Sequence, residues 1–367
     1  MFSTPYVLFF ALLLSVPLIF LLAPKILPPK HQPISLPDEL DDLALFRRAS
    51  LASMNHPQSK SSISHLGTTN PPPKIAFLFL TNSDLIFAPL WEKFFKGNEK
   101  LYNIYIHADP SIKITPPGGV FNGRFIAGKK TKRASPTLIS AARRLLATAL
   151  LDDQSNTFFA LVSQHCIPLH SFRFVYHSLF ASPHTESSSK SLSTESWVTR
   201  WNRRGQVRYS SFIEILGEEP TLQDRYTARG ENVMMPEVSF DDFRVGSQFF
   251  ILTRRHSLLV IRDRRLWRKF RLPCLNKESC YPEEHYFPTL LSMEDPKGCT
   301  HFTLTNVNWT GSTGGHPHEY KPGEISAELV YRLRVSNSTY SYLFARKFNA
   351  DTLNPLMEIA DTVIFRD

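Results

Sequence analysis

The body of the chain alternates apolar runs with segments of helical spacing. The first run, Lys74–Thr81 (KIAFLFLT), is apolar at nearly every position, which is typical of a strand buried on both faces. A helical segment at about Phe87–Lys96 follows, and then a second buried strand, Tyr102–Asp109 (YNIYIHAD). Apolar residues recur with helical spacing over Pro136–Leu151, and Thr157–Val162 is a third strand. This alternation predicts an α/β fold with a mostly parallel central sheet and flanking helices.

Three further elements follow in the C-terminal half of the chain. Ser247–Thr253 is predicted to be a strand, and Arg254–Phe270 a helix whose seven basic residues mostly occupy a solvated face. The junction at Arg254 and Arg255 is the exception, because it is expected to face the ligand-binding edge of the sheet. A short helix is predicted over Tyr286–Ser292.

The N-terminus begins with an apolar segment. No side chain from Phe2 to Pro24 is charged, and Tyr6–Ala23 is long enough, at about 1.5 Å per residue, to span most of a membrane. A cleaved signal peptide is the alternative, but neither a basic leading region nor a small-residue cleavage site is clear. The sequence therefore favours a retained anchor at 6–24 behind a short tail at 1–5.

A stem is predicted between this segment and the body. Residues 25–73 are rich in Pro, Ser, His and Asn, and within them only Leu40–Leu51 suits a short helix. The body then occupies 74–367, with a mobile Ser-rich loop expected at Ser182–Ser196. Lys25 and Lys30 follow the apolar run, so the positive-inside rule alone does not place the body in a lumen.

Composition narrows the class of function only partly. The formal net charge of +9 over 367 residues suits an anionic small ligand, a membrane surface or a nucleic acid. Four cysteines without C-x-x-C spacing predict neither a disulfide scaffold nor a zinc site. The chain has no P-loop, no G-x-G-x-x-G, no H-E-x-x-H and no G-x-S-x-G. It also lacks a D-x-D triplet, so cationic side chains would have to neutralise any bound diphosphate.

Polar residues follow the predicted strands where a parallel sheet binds its ligands. Asp84, His107, Asp109 and Ser163–His165 all lie at carboxyl ends of strands. Each of them alone is better explained as a helix cap or a turn residue. Together, in one layer, they favour a pocket.

The sharpest local signal is Cys280–Tyr286 (CYPEEHY), in which two carboxylates follow a proline and precede a helix. Glu283 and Glu284 are favoured by the helix dipole and could simply stabilise the helix start. A carboxylate in a pocket could instead take a proton from an attacking hydroxyl group. Spacing alone favours the structural role.

Two more segments could bind substrate. Arg346 and Lys347, within YLFARKF, are flanked by aromatic residues and would suit a diphosphate clamp. Their stems could instead simply cover the edge of a core element. Trp309, beside a Gly-rich loop, could stack on a sugar or a base, or belong to the core.

The ordered set of motifs resembles the core-2/I-branching β-1,6-N-acetylglucosaminyltransferase family, in its plant brittle-culm-type branch. The matching stretches run in order from Lys74 to Phe348: KIAFLFLT, YIHADPS, LISAARRLLATALL, ALVSQHCIPLHSF, GSQFFILTRRHSLLV, CYPEEHYFPT, NVNWT with GGHP, and YLFARKF. The resemblance implies a Golgi enzyme with a membrane anchor and a luminal GT-A-like domain. It also implies an inverting reaction that uses a UDP-sugar and needs no divalent metal or other cofactor.

The resemblance assigns roles to individual residues. Glu284 matches the catalytic base, and Lys347 matches the basic residue that holds the donor diphosphate, with Arg346 as a second phosphate contact. His107 and Asp109 match strand-end residues near the nucleotide. The remaining matches are on the acceptor side: Trp309 and the cluster Arg200, Trp201, Arg203 and Arg204. Cys166 stands where animal members have Asp, and Glu283 where Asp is usual.

The cysteines and the sequons bear on the compartment. Cys166, Cys274, Cys280 and Cys299 allow three complete pairings, and a bridge that involves Cys274 or Cys280 would help to fix Glu284. Two N-x-S/T sequons, at Asn308 and Asn337, favour a luminal body.

The sequence thus predicts a single-pass type II Golgi membrane glycosyltransferase that moves a sugar, of GlcNAc type or another, from a UDP-sugar to a glycan or glycoprotein hydroxyl. The alternative is a catalytically silent glycan-binding or scaffold protein of the Golgi. A nucleic acid is not an expected partner, because binding it would require a cytosolic or nuclear body. Glycosylation at either sequon would eliminate that possibility, because it would place the body in the lumen.

Overall fold

The computed structural model describes residues 39–55, 71–180, 199–201, 207–312 and 315–367, with positions 13 and 15 besides. Contacts divide the chain into a short unit, Met1–Pro37, and a large unit, Asp38–Asp367. Within the described residues no helix combines the length and apolarity that crossing a membrane requires. Except for Leu13 and Ser15, the predicted tail and anchor lie outside the described residues, as does the predicted Ser-rich loop.

Six strands form the central sheet and five more form two small sheets. The strands in chain order are β1 Lys74–Thr81, β2 Tyr102–Ala108, β3 Asn156–Ser163, β4 Ile167–Pro168, β5 Thr199–Trp201, β6 Val207–Tyr209, β7 Ser211–Glu214, β8 Ile251–Thr253, β9 Cys299–His301, β10 Thr305–Val307 and β11 Phe344–Arg346. The central order is β2-β1-β3-β8-β7-β9, beside a sheet β10-β11-β4 and a hairpin β5-β6. Three of the five central pairings are parallel, so the predicted α/β class and largely parallel sheet are confirmed, and the arrangement fits a GT-A-like fold.

The helices cover both the predicted segments and some others. Those described, in chain order, are α1 Glu39–Asn55, α2 Ala88–Phe95, α3 Pro136–Asp152, α4 Phe172–Phe180, α5 Leu222–Thr227, α6 Arg254–Arg262, α7 Arg265–Phe270, α8 Pro282–Glu294, α9 Ala327–Arg334 and α10 Leu353–Ile359. Single turns of other helix types occur at Gly119–Phe121, Phe240–Asp242, Pro296–Gly298, Pro322–Glu324, Ala350–Thr352 and Ala360–Ile364.

The predicted basic helix Arg254–Phe270 is two helices. The carboxylate of Asp263 accepts hydrogen bonds from the backbone N–H groups of Leu266 (3.0 Å) and Trp267 (2.9 Å), so it satisfies donors that open α7. A side chain that caps a new helix start ends the preceding helix, which explains the break that periodicity alone did not show.

The direction of β8 corrects the predicted position of Arg254 and Arg255. Strand β8 is antiparallel to β3, so its carboxyl end lies beside the amino end of β3, away from the edge where β1, β2 and β3 end. Accordingly, the Arg254 guanidinium donates to the carbonyl groups of Leu150 (3.0 Å) and Asn156 (3.1 Å) before and at the start of β3. This junction therefore braces the opposite edge of the sheet.

An aromatic cluster joins the central sheet to the small sheet. The ring of Phe77, on β1, contacts Trp91 and Phe95 on α2, with centroid distances of 5.9 Å and 5.0 Å, and Phe344 on β11 at 6.2 Å. Such pairs contribute about 1 kcal/mol each beyond the area they bury. The indole of Trp91 also donates to the carbonyl of Cys166 (3.1 Å). Strand β11, and with it Arg346, is thereby held against the core.

Helix α1 lies within the segment predicted as a stem, and it packs on the body against α3 and α6. Its Asp42 is 8 % exposed and forms ion pairs with Arg144 and with Lys129, whose Nζ is 3.0 Å from the carboxylate. At the start of α1, Glu39 pairs with Arg271 on the body (2.6 Å). Part of the predicted stem is thus a component of the folded unit.

We expect Asp42→Asn to lower the free energy of unfolding by about 3 kcal/mol, because it leaves the buried Arg144 without its counter-charge. Denaturant unfolding of the full chain in detergent measures this. Asp41→Asn is the matched control, since Asp41 is the adjacent carboxylate on the same helix turn and is exposed. Equal stability of the two variants would show that α1 does not depend on this contact.

Candidate active site

The start of helix α8 is fixed by three neighbouring features. Cys280 is bonded to Cys274, which closes a short loop immediately before the helix. Tyr281 precedes the helix in the left-handed region, with φ of 30°, and Pro282 occupies the first turn, where its missing N–H is not needed. Glu283 and Glu284 come next, inside the helix, which begins four residues earlier than the sequence predicts. The sequence left three complete pairings of the four cysteines open; the structure forms only the Cys274–Cys280 bond of one of them, and Cys166 and Cys299 are free.

The two adjacent carboxylates point in different directions. Glu283 is 4 % exposed, and its Oε1 accepts from the backbone N–H of Ala134 (3.0 Å). Burial raises the pKa of Glu283 to about 7. Glu284 lines a cavity of about 420 Å³, and its side chain is 29 % exposed. Of this pair, Glu284 is therefore the carboxylate that a substrate can reach.

Arginine side chains surround Glu284. Arg225, on α5, donates from Nη1 to Oε2 of Glu284 (3.0 Å). Burial raises the pKa of Glu284, whereas the charge and hydrogen bond of Arg225 and the charges of Arg133 and Arg346 lower it. Burial thus makes this carboxylate more basic, and the cations favour its ionised form.

The cavity brings together one residue from each predicted class. Its wall includes Glu284, Arg346 and Trp309, which the sequence predicts as base, donor-binding and acceptor-binding residues. Trp309 is 52 % exposed, so a flat apolar ring faces solvent at the cavity. Arg346 lies with its guanidinium carbon 4.5 Å from the ring centroid of Phe249, and burial lowers its pKa. The site therefore combines a carboxylate, a partly buried cation and an exposed aromatic ring.

Two cavity residues escaped sequence reasoning. Arg225 lies on a six-residue helix and Glu214 at the end of β7, and neither belongs to a motif that signals chemistry. Burial raises the pKa of Glu214, opposed by a hydrogen bond from the N–H of Ser247 (2.9 Å) and reinforced by the charge of Glu284. Only the contacts across the cavity identify these residues.

A glycine allows β7 to approach α8 closely. The N–H of Gly246 donates to the carbonyl of Glu284 (2.9 Å). A Cβ atom at this position would lie 2.0 Å from the carbonyl oxygen of Glu214, so a larger residue would separate the segments. Gly246 begins the predicted GSQFF stretch, and its function is to hold Glu214 and Glu284 on adjoining walls.

Arg133 connects the helix start to the loop after Trp309. Its Nη2 donates to the carbonyl of Gly315 (2.6 Å), and its Nη1 contacts the His316 ring. Its guanidinium carbon is 5.7 Å from the centroid of Tyr281, and that of Arg225 is 5.5 Å from the same ring. Tyr281 thus holds two arginines near Glu284.

Lys347 follows Arg346 but is not among the residues that line the cavity. Its Nζ is 3.0 Å from Oε1 of Glu319. The adjacent backbone joins His165, because the N–H of Phe348 donates to the His165 carbonyl (3.3 Å). Lys347 therefore lies near His165, two residues beyond the end of β3. Its part in holding a diphosphate stays a prediction.

His107 and Asp109 brace the loop that follows β2. Nε2 of His107 accepts from the N–H of Lys129 (3.0 Å), and burial lowers the pKa of His107 to about 4. Although burial opposes ionisation of Asp109, hydrogen bonds from Ser111 and Thr131 lower its pKa to about 2. Both side chains are buried and neither lines the Glu284 cavity. Their predicted part in nucleotide binding stays a prediction.

The remaining predicted sites divide between described and undescribed parts. Arg200 and Trp201 lie on the hairpin strand β5, with Arg200 opposite Arg208, whereas Arg203 and Arg204 lie outside the described residues. Of the two sequon asparagines, Asn337 is exposed, and Asn308 is half-buried with its side-chain nitrogen 3.3 Å from the Tyr320 hydroxyl. Within the described residues, no group of three or more His, Cys, Asp or Glu is placed to hold a metal ion.

Comparison with known proteins identifies the family. The sequence profile described as Core-2/I-Branching enzyme matches residues 75–334. This chain belongs to that family. It is also 25 % identical over 326 residues to a protein named Glycosyltransferase BC10 from Oryza sativa subsp. japonica, over 75 % of this chain and 73 % of the rice protein. The resemblance inferred from the ordered motifs is thereby confirmed.

The family match covers most of the cavity. Glu214, Arg225, Glu284 and Trp309 all lie inside the matched region, whereas Arg346 lies beyond it. The cation that completes the cavity therefore comes from a segment that the profile does not reach.

We expect reduction of the Cys274–Cys280 bond to lower the free energy of unfolding by about 2 kcal/mol, because a short loop loses its closure. Denaturant unfolding with and without dithiothreitol measures the difference. The control is the double variant Cys274→Ser/Cys280→Ser, which should be less stable at the outset and indifferent to the reductant. Cys166 and Cys299 are free and offer no bond to reduce, so a double variant that still responds would show that the effect does not come from the Cys274–Cys280 bond.

We expect Arg225→Gln to shift the acidic limb of the pH–rate profile to higher pH. Arg225 lowers the pKa of Glu284, so its removal raises that pKa, and the ionised carboxylate is lost at a higher pH than in the parent. The pH dependence of kcat/KM measures the shift. Arg225→Lys keeps the charge and should restore most of the profile, and an unshifted limb in Arg225→Gln would contradict this coupling.

Proposed function

We propose that this chain is an inverting glycosyltransferase that moves a sugar from a UDP-sugar to a hydroxyl group of a glycan. Membership of the Core-2/I-branching family and the similarity to a protein named as a glycosyltransferase support the reaction class. The observation that carries the proposal is the position of Glu284, a partly exposed carboxylate facing a cavity shared with Arg225, Trp309 and Arg346.

Glu284 acts as the general base. It accepts the proton of the acceptor hydroxyl while that oxygen forms a bond to the anomeric carbon of the donor. The bond between the anomeric carbon and the diphosphate oxygen breaks on the opposite face, and the electron pair leaves with UDP. Burial makes the Glu284 carboxylate more basic than a solvated one, which favours proton transfer.

Arg346 and Lys347 stabilise the leaving diphosphate. Arg346 is a partly buried cation at the cavity, and Lys347 is adjacent to it in the chain. Negative charge develops on the departing phosphate oxygen, and cations placed beforehand in a partly dry site stabilise it more strongly than water does. In this reaction the two side chains supply the charge that a metal ion supplies elsewhere, so we propose that no divalent metal is needed.

The acceptor binds against Trp309. An exposed indole offers an apolar face for the C–H groups of a sugar ring, and the neighbouring carboxylate accepts hydrogen bonds from the hydroxyl groups of that sugar. Arg200, Trp201 and Arg203 are further acceptor contacts in this proposal. The acceptor is a cell-wall glycan or a glycoprotein glycan.

We place the body in the Golgi lumen behind a type II membrane anchor at 6–24. The apolar run Tyr6–Ala23 supports the anchor. The Cys274–Cys280 bond supports an oxidising compartment, and the exposed sequon at Asn337 suits a luminal surface.

We expect Glu284→Gln to lower UDP release by about 10²- to 10⁴-fold, because the amide cannot accept the acceptor proton. The assay incubates the full chain with a panel of UDP-sugars and glycan acceptors, with and without EDTA. Glu278→Gln is the matched control, since Glu278 is an exposed glutamate before the same helix, and it should keep full activity.

Three outcomes contradict parts of this proposal. Undiminished release by Glu284→Gln would remove Glu284 as the base. Loss of release on adding EDTA would reject the metal-free reaction. Absence of both turnover and UDP binding would indicate a catalytically silent glycan-binding protein instead.

A further inference from the structure

Helix α1 packs on the body with one face and exposes large apolar side chains on the opposite face. Its inner face packs on the body through Asp42, Phe46 and Ala49, which are 8 % exposed or less. Its outer face presents residues spaced four, three, four and three positions apart, which places them on one side of a helix: Leu40, Ala44, Arg47, Leu51 and Met54. Leu40 is 79 % exposed, Leu51 47 % and Met54 64 %. An exposed apolar stripe opposite a packed one indicates a second contact surface.

A basic hollow borders this stripe. It has a volume of about 540 Å³ and lies between α1 and the turn that joins α6 to α7. Four arginines and no carboxylate are among its lining side chains: Arg47, Arg48, Arg262 and Arg264. Ala44 and Arg47 belong to both the stripe and the hollow. Within the described residues, Arg47 and Arg48 form no ion pair. We name the stripe and the hollow together the α1 face.

Charge extends from the α1 face along α6. A larger hollow of about 760 Å³ shares Arg262 and Arg264 with the first and adds further basic side chains: Arg254, Arg255 and Arg265. Some of these are compensated, since Arg255 pairs with Asp295 and Arg265 lies 3.5 Å from Glu294. Arg264 also interacts with the charges of Glu39 and Asp263. Among the described arginines of the two hollows, the uncompensated charge next to the apolar stripe is that of Arg47 and Arg48.

The combination selects one occupant. A glycan or nucleic acid would engage the arginines but leave three large apolar side chains in water. A second copy in a symmetric contact would place the same arginine-rich patch opposite itself, and the hollow offers no carboxylate to pair with these cations. A phospholipid surface suits both the stripe and the hollow, because its phosphate groups pair with guanidinium groups and its interfacial layer accepts apolar side chains.

We propose that the α1 face lies on a phospholipid surface, with Leu40, Leu51 and Met54 in the interfacial layer and the arginines of the hollow on lipid phosphates. The chain permits this, since the 14 residues 25–38 between the apolar run and α1 can extend to about 50 Å at most. The stripe itself is about 21 Å long, from Leu40 to Met54. The proposal goes beyond sugar transfer and uses no residue of the Glu284 cavity.

The test places a fluorescent label at the α1 face of the full chain, reconstituted in vesicles of two parts phosphatidylcholine to one part phosphatidylserine. Leu51→Cys is labelled in one sample, and Val335→Cys, at an exposed position outside the α1 face, in the other. The native thiols do not compete, because Cys166 and Cys299 are buried and the other two are bonded. Lipids that carry a quencher at the head group report contact.

We expect the label at position 51 to be quenched several times more strongly than the label at 335. Arg47→Glu/Arg264→Glu should lower the quenching at 51, as should about 1 M salt, which shortens the screening length to about 3 Å. The matched control, Arg173→Glu/Arg332→Glu, makes the same change of charge at exposed arginines elsewhere and should leave it unchanged.

Equal quenching at 51 and 335 would overturn the proposal. So would a label at 51 that is shielded from aqueous iodide but not reached by quencher lipids, because that result indicates a second copy on the α1 face. UDP release measured on the same vesicles keeps the two proposals separate, since quenching without sugar transfer would count against the catalytic proposal alone.

Discussion

The ion pair between Glu284 and Arg225 is the contact on which the candidate site depends. A carboxylate that is partly withdrawn from water tends to take up a proton, and a protonated base cannot accept another. Arg225, with its Nη1 3.0 Å from Glu284, favours the ionised form against that tendency. The neighbouring Glu283 accepts a hydrogen bond from the backbone N–H of Ala134, and burial raises its pKa to about 7 although the charge of Arg133 opposes that shift.

The structure around this pair holds the start of α8 and the end of β7 at fixed positions relative to each other. The Cys274–Cys280 bond and Pro282 fix where α8 begins, and Gly246 lets the end of β7 approach that point. On the other wall, the aromatic cluster around Phe77 anchors β11 through Phe344, so Arg346 reaches the cavity two residues later. Catalysis by a preorganised charge requires this rigidity, because the cation must be in position before the leaving group departs.

Helix α1 links the body to what precedes it in the chain. Its inner face is joined to the body by buried ion pairs of Asp42, and its outer face is apolar beside uncompensated arginines. A segment that only held the body away from a membrane would need neither the buried ion pairs nor the exposed apolar side chains. The distribution of charge over the body therefore has two parts, one around the cavity and one at the α1 face, which the single figure of +9 does not separate.

The sequence by itself determined the elements whose pattern is local. The strand β1, the extent of α2 and α3 within a residue or two, the α/β class and the family all followed from apolar runs and ordered motifs. It did not determine the direction of β8, since an antiparallel strand has the same composition as a parallel one, and so it placed Arg254 at the wrong edge. Nor could it separate Glu283 from Glu284 on spacing, or find Arg225 and Glu214, which lie far from α8 along the chain. Those assignments depend on which side chains meet across the cavity, and only the packing of β7, α5 and α8 decides that.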